Sequence, residues 1–239
     1  MKKFFDVSAA LSAAEGVARF SGAHVAWLCA GGVIIALLCA LYARAKAPGR
    51  RGLRRAAAFM PLALELLRSA LFIAAGEYGV GRLPLHLCSM SVYLAAYHAV
   101  FGGELAGQLL YAFAMPGALC ALIFPDWGGY PARSFLSAAS FLLHIFLAAY
   151  PMMLSVGGDL RPDIRRAPAM LGLLAAVAVP VFCFDRAMGT NYMFLNFPAP
   201  GSPLEWFAPL GRPGYILGYL PMLAVVWGVI YAPFEIKRR

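Results

Sequence analysis

The sequence predicts an all-α polytopic membrane protein with about seven transmembrane helices packed in one bundle. Hydrophobic residues make up 62% of the 239 residues and charged residues only 13%, with a mean hydropathy of +0.73. This apolar share is far above that of soluble domains. Runs long enough to cross a bilayer core, about 20 apolar residues each, recur along the chain. Basic residues are concentrated between these runs.

Seven apolar runs form the predicted bundle over residues 24–232, and the whole chain, residues 1–239, is predicted to be one transmembrane domain. Each run is apolar on every face, whereas the core helices of soluble proteins are amphipathic. Prolines blur the ends of the fifth and seventh runs, so six or eight spans are the alternatives. The predicted spans are 24–43, 56–75, 84–101, 105–124, 134–154, 168–187 and 213–232.

The basic connections predict the orientation of the bundle, because short cytoplasmic loops are enriched in Lys and Arg. The connection after the first span is therefore expected in the cytoplasm, and with seven spans the N-terminus lies outside. The basic tail 233–239 then also falls in the cytoplasm. The net charge of +9 is explained by this topology and by attraction to anionic lipid headgroups. Nucleic-acid binding is not expected, because the chain has no soluble basic domain. The basic residues of that first connection are Arg44, Lys46, Arg50, Arg51, Arg54 and Arg55.

Residues 1–20 precede the first span and alternate apolar and polar residues at helical spacing. Ser8, Ser12, Glu15 and Arg19 interrupt the apolar positions. This pattern favours an amphipathic helix lying in the membrane interface over a cleavable signal peptide.

Polar residues inside spans are candidates for function, because ionisable groups are costly in hydrocarbon. His24 opens the first span, His86 and Cys88 open the third, and His144 lies within the fifth at a converging depth. A lone histidine is more often a hydrogen-bonded packing residue, and Cys88 an inert buried thiol. In a regular helix, moreover, His86 and Cys88 point about 200° apart and cannot face one site.

Three further groups of polar residues lie at or near the same depth. Glu65 and Arg68 are three residues apart on one helix face, either as an ion pair or as part of a site. Asp185 closes the sixth span. The Pro-rich segment that follows it carries Asn191, Tyr192 and Asn196, and folds over the outer mouth of the bundle or caps it at the interface.

Five features in order resemble a known family. They are His24, the run Leu-Pro-Leu-His-Leu-Cys-Ser at 83–89, Phe-Pro-Asp at 124–126, His144, and Gly-Thr-Asn-Tyr-Met-Phe-Leu at 189–195. Together they resemble the YwaF-type integral membrane proteins of bacteria, which are more distantly similar to eukaryotic transmembrane protein 164. The resemblance covers nearly the whole chain and implies the cytoplasmic membrane if the protein is bacterial.

The eukaryotic relative is described as a cysteine-dependent acyltransferase that makes polyunsaturated ether phospholipids. The resemblance implies functional roles for Glu65, His86, His144 and Asn191. The cysteine of the eukaryotic relative has no direct counterpart here, because Leu85 occupies the position after the proline. Cys88 is our candidate nucleophile, and the catalytic candidates are therefore His86, Cys88, His144 and Glu65. The substrate-binding candidates are His24, Arg68, Asn191, Tyr192, Asn196 and Asp185.

The expected function is phospholipid acyl transfer or acyl-ester hydrolysis in the outer half of the bilayer. Its expected partners are membrane lipids, namely a phospholipid or lysophospholipid and an acyl donor, and no cofactor is expected. Two alternatives stay open. One is a zinc-dependent lipid hydrolase using three histidines, for which the sequence lacks a HExxH-like spacing. The other is a lipid or small-molecule transporter or binding protein, for which the sequence lacks an internal repeat. The oligomeric state is not predicted.

Overall fold

The computed structural model describes residues 4–11 and 16–236, and within these ranges all regular structure is helical. The all-α prediction is therefore confirmed. Helices α5 and α6 are joined by a π-helical turn, Leu110–Ala114, into one continuous stretch. The α-helices are α1 Val7–Leu11, α2 Gly22–Arg44, α3 Ala47–Ala74, α4 Leu87–Phe101, α5 Glu104–Leu109, α6 Met115–Ile123, α7 Phe135–Val156, α8 Ala167–Met188 and α9 Tyr219–Ile236.

Six helical stretches in the described residues are long and apolar enough to cross a bilayer. The third predicted span is the shorter apolar helix α4, of 15 residues. Every predicted apolar run is thus helical, and the multi-pass class is confirmed. The direction in which the bundle crosses the membrane stays a prediction. The six stretches are Gly22–Arg44, Ala47–Ala74, Glu104–Ile123, Phe135–Val156, Ile164–Met188 and Gly214–Ile236.

Helix α7 forms the centre of the bundle and packs against α2, α3, α4 and α6. In the most apolar part of α7, 67% of the residues are buried inside the protein. In the corresponding parts of α2 and of the stretch that contains α8, only 11% are buried. The outer helices therefore turn most of their apolar surface outwards, as lipid-facing helices do. The π-helical turn also ties α9 to the bundle, because the indole N–H of Trp227 donates to the carbonyl of Ala112 at 2.9 Å.

The amphipathic helix predicted over residues 1–20 is present only in part in the described residues. An α-helix covers Val7–Leu11, residues 16–20 are not helical, and residues 1–3 and 12–15 lie outside the described ranges. Val7 and Ala10 are buried in a cluster with Phe72 and Phe135. These two apolar positions therefore pack against protein, and the location of the segment in the membrane interface stays a prediction.

Helix α4 begins at Leu87, three residues later than the predicted start of the third span at Pro84. His86 is the residue before the helix, with an extended backbone (φ −66°, ψ 146°), and its carbonyl accepts from the amide of Met90 at 3.0 Å. The 100° step of a regular helix therefore does not apply between His86 and Cys88. The prediction that the two side chains point about 200° apart assumed a regular helix through both residues, and it is wrong for this reason.

Candidate functional site

His144 lies on the buried helix α7 with one ring nitrogen fixed and the other free. Its Nδ1 is 2.7 Å from the carbonyl oxygen of Ser140, and its ring stacks on the indole of Trp127 at 4.5 Å between centroids. A carbonyl oxygen only accepts, so the neutral ring carries its proton on Nδ1 and the lone pair on Nε2. Within the described residues Nε2 makes no hydrogen bond. His144 thus presents a basic nitrogen on an immobilised ring.

His86 has the opposite arrangement. The backbone amide of Met193 donates to its Nδ1 at 3.3 Å, so the neutral ring carries its proton on Nε2. The ring lies edge-on to Tyr192, with centroids 5.0 Å apart, and next to Phe194 at 5.6 Å. Nε2 of His86 is therefore a hydrogen-bond donor, whereas Nε2 of His144 is an acceptor.

The same two carboxylates act electrostatically on His86, Cys88 and His144. They are Glu65 and Asp126, and Arg68 acts on both histidine rings as well. Within the described residues no hydrogen bond or ring contact joins His86, Cys88 and His144 to one another. The sequence analysis assigned no role to Asp126, although it quoted this residue as part of the Phe-Pro-Asp motif.

Glu65 and Arg68 form an ion pair across one turn of α3, with 2.6 Å between Oε2 of the acid and Nη2 of the base. The acid is almost fully buried, whereas 29% of the arginine side chain is accessible. The pairing that the three-residue spacing predicts is therefore present. Because the arginine shares only Nη2 with Glu65, its other donors are available to a ligand.

Cys88 lies in the first turn of α4 and packs against the largest apolar core cluster. In the described part of the chain its sulfur makes no hydrogen bond. Leu85, at the position of the eukaryotic cysteine, packs instead against the cluster of Val181, Tyr192 and Leu195. Cys88 and Leu85 therefore pack against different apolar clusters.

His24 lies outside this group and is fully buried at the start of α2. Its Nδ1 accepts from the amide of Phe20, and its Nε2 is 2.8 Å from the carbonyl of Leu122. Both ring nitrogens are thus used within the fold, and neither is available to a metal. In residues 4–11 and 16–236, no three His, Cys, Asp or Glu side chains are grouped as metal ligands. The three-histidine zinc alternative therefore has no support in this geometry.

The other predicted binding residues organise the segment after α8. Asp185 is fully buried, and its Oδ1 accepts from the Thr190 hydroxyl at 2.6 Å and from the Tyr192 amide at 2.9 Å. Oδ1 of Asn191 accepts from two later amides of the same segment. The Asn196 side chain donates to the carbonyl of Thr190 at 3.0 Å. These side chains bond to other groups of the same segment and so fix its backbone. The backbone amide of Met193, in this segment, is the group that donates to His86.

Tyrosine hydroxyls fix this segment to neighbouring elements. The Tyr192 hydroxyl donates to the carbonyl of Val80 at 2.6 Å and accepts from the amide of Leu83 at 2.8 Å. The hydroxyls of Tyr215 and Tyr219 donate to the carbonyls of residues 194 and 193. The sequence analysis missed Tyr215 and Tyr219, because no local pattern pairs them with this segment.

Comparison with known proteins gives one family. Residues 19–231, most of the chain, match the TMEM164 family. No curated protein and no solved structure matches the chain. The narrower resemblance to bacterial YwaF-type proteins stays a prediction. Because the match covers well over half of its residues, the protein belongs to the TMEM164 family.

Proposed function

We propose that this protein is a membrane-embedded enzyme that moves an acyl chain from a phospholipid to a lysophospholipid, or to water. The main support is the pair of histidines with opposite tautomers, His86 as donor and His144 as acceptor. Acyl transfer needs these two roles together, a base for the nucleophile and a donor for the oxyanion. If the protein is bacterial, its membrane is the cytoplasmic membrane.

In the first half-reaction, Nε2 of His144 takes the proton of the Cys88 thiol as the sulfur attacks the ester carbonyl of the donor lipid. A C–S bond forms, and the Nε2–H group of His86 stabilises the tetrahedral oxyanion. The ester C–O bond then breaks, and the protonated His144 gives its proton to the leaving alkoxide. The products are a lysophospholipid and an acyl thioester on Cys88.

In the second half-reaction, the hydroxyl of the acceptor lysophospholipid loses its proton to Nε2 of His144 and attacks the thioester carbonyl. A C–O bond forms, the C–S bond breaks, and the proton returns to the sulfur. Water in place of the lysophospholipid gives a free fatty acid. The free donors of Arg68 bind the phosphate of the lipid, and Glu65 holds this arginine in place.

The experiment that tests this proposal replaces His144 by Asn. The Asn amide nitrogen occupies the place of Nδ1 and keeps the hydrogen bond to Ser140, but no basic nitrogen is left. Purified protein is reconstituted with a phospholipid labelled in one acyl chain and an unlabelled lysophospholipid, and labelled products are measured. We expect turnover to fall by about 10²–10⁴-fold, the usual contribution of a general base, in protein that still unfolds cooperatively on heating. Unchanged turnover would refute the role of His144.

A second pair of variants identifies the nucleophile. Cys88→Ala should abolish transfer, whereas Cys183→Ala, which removes an exposed cysteine of α8, should keep it. Trapping of the labelled acyl chain on wild-type protein, but not on Cys88→Ala, is the direct readout. If Cys88→Ala retains full turnover while His144→Asn is inactive, the thioester step is wrong and His144 activates the acceptor directly.

The transport or binding alternative predicts a different result. Labelled lipid would then bind or change leaflet in proteoliposomes without any change in its acyl chains. Such movement in a wild-type protein that shows no acyl transfer would replace the enzymatic proposal.

A further inference from the structure

A cavity lies at the opposite end of the bundle from the histidine pair, where the basic start of α3 meets the end of α4 and the connection after α7. It has a volume of about 450 Å³ and is lined by Arg54, His98, Gln108 and Arg161, among others. A neighbouring cavity of about 390 Å³ shares Arg54 and Asp159 with it. Volumes of this size are typical of small-ligand sites.

Arg54 is the unusual residue of this region. Its Nε is fully buried, and in the described part of the chain it has no hydrogen-bond partner. The guanidinium also forms no ion pair within those residues. A guanidinium is always charged and carries five N–H donors, so leaving it unpaired in a half-buried place costs free energy unless a ligand supplies acceptors.

The acidic residues of the cavity are already paired with other groups. Asp159 bonds to Arg50 and to the Tyr42 hydroxyl. Glu104 forms an ion pair with Arg166. The cavity lining holds two arginines and two acids, and both acids pair with arginines outside the lining. Arg54 and the exposed Arg161 therefore have no carboxylate partner in the described residues.

Arg50, one helical turn before Arg54, shows what a structural arginine looks like here. Its guanidinium donates to the carbonyls of Ala43, Ala45 and Gly157, and also to Asp159. It thereby ties the start of α3 to neighbouring segments. Arg54 has the same side chain on the same face of the same helix but none of these bonds, so a structural role of this kind does not explain it.

We propose that this cavity binds the phosphate group of an anionic ligand through Arg54, with Arg161 at its rim. Phosphate fits because its oxygens accept several hydrogen bonds from the planar guanidinium fork. The ligand is either the headgroup of a phospholipid in the adjacent leaflet or a small water-soluble phosphate ester. This site is separate from the proposed acyl-transfer site and does not depend on it.

The test uses the full chain in nanodiscs of phosphatidylcholine and follows the thermal unfolding midpoint. In one arm glycerol 3-phosphate is titrated into the solution, and in the other phosphatidic acid replaces a rising fraction of the lipid. A saturable rise in the midpoint is expected in one arm. A response to the soluble ester identifies a phosphate-ester site, and a response to phosphatidic acid alone identifies a headgroup site.

Two variants separate a specific site from general attraction to a basic surface. Arg54→Gln should weaken the response by about tenfold or more, the usual effect of losing charge-assisted hydrogen bonds. Arg55→Gln makes the same charge change at the next, exposed residue and should leave the response unchanged. Equal weakening by both variants, or no response of the wild type in either arm, overturns the proposal. If Arg54→Gln does not fold, Arg161→Gln decides: a weakened response supports the site and an unchanged response overturns it.

Discussion

Asp185 is the residue whose replacement tests most directly how the segment after α8 is held. Its Oδ1 accepts hydrogen bonds from the Thr190 hydroxyl and the Tyr192 amide. Its Oδ2 is buried, and within the described ranges it has no partner. We compare Asp185→Ala with Asp185→Asn and Thr190→Val, because the three variants remove different parts of this arrangement.

The structure gives the expected magnitudes. A hydrogen bond to a charged group contributes about 1.5–3 kcal/mol to the free energy of unfolding. Asp185→Ala loses two such bonds, but it also removes a buried carboxylate oxygen that lacks a partner, so we expect a net loss of about 3 kcal/mol. Asp185→Asn keeps an acceptor at the position of Oδ1, and the loss should stay below about 1 kcal/mol. Thr190→Val removes one donor to the carboxylate and should cost about 1.5 kcal/mol, the lower end of that range.

The assay is reversible unfolding of purified protein in mixed micelles of mild detergent and SDS, followed by circular dichroism. The reasoning predicts the order Asp185→Ala, then Thr190→Val, then Asp185→Asn, from most to least destabilised. Equal loss in Asp185→Asn and Asp185→Ala would refute it, because the negative charge rather than the two accepted bonds would then stabilise the segment.

Two further predictions concern packing and pH. Tyr192→Phe should lower the free energy of unfolding by about 1–2 kcal/mol at neutral pH, since the hydroxyl makes two hydrogen bonds. Burial raises the pKa of the Tyr192 hydroxyl, so its contribution is lost as pH rises above about 10, and wild type and variant should converge there in alkaline unfolding experiments. Gly157→Ala should cost about 1–3 kcal/mol, because its Cβ would lie 2.6 Å from the buried ring of Tyr42. Gly172→Ala, with open space around its Cβ, is the control in the same unfolding assay, and equal midpoints for the two glycine variants would contradict the packing argument.

The positions of the seven apolar helices could be predicted from sequence because each one satisfies its own backbone hydrogen bonds. The length and hydropathy of a segment are then enough to predict a helix, whichever helices pack beside it. The start of α4 could not be predicted in this way. Pro84 is favoured at the first position of a helix, but the amide of Leu85 bonds to the carbonyl of Leu83 in a tight turn, and helix begins only at Leu87.

The extent of the N-terminal helix could not be predicted for a related reason. An apolar spacing of this kind fits a membrane surface and a protein groove equally well, and the burial of Val7 and Ala10 is visible only in the packed structure. Gly16 shows how close this packing is, because a Cβ there would lie 1.8 Å from the carbonyl oxygen of Gly128. No local pattern in the sequence indicates such an approach between residues more than a hundred positions apart.

The bonding of the candidate site residues could be predicted from the sequence only in part. Glu65 and Arg68 pair as their spacing predicts, since both lie on one helix. His24 and His144 look alike in sequence, but one has both ring nitrogens bonded to backbone and the other has one free. The difference depends on which backbone groups lie nearby, and that follows from tertiary packing.

The two histidines of the site are anchored in different ways, and this difference has a mechanistic consequence. The bond that fixes His144 lies within α7, at the buried centre of the bundle. The bond that fixes His86 comes from Met193, which has a left-handed backbone (φ 52°) and belongs to the segment that Asp185 organises and the Tyr219 hydroxyl anchors. The proposed base is therefore fixed within a core helix, whereas the position of the proposed oxyanion donor depends on that segment. Displacement of the segment would move His86 and leave His144 in place, so under the proposed mechanism the segment controls the donor and not the base.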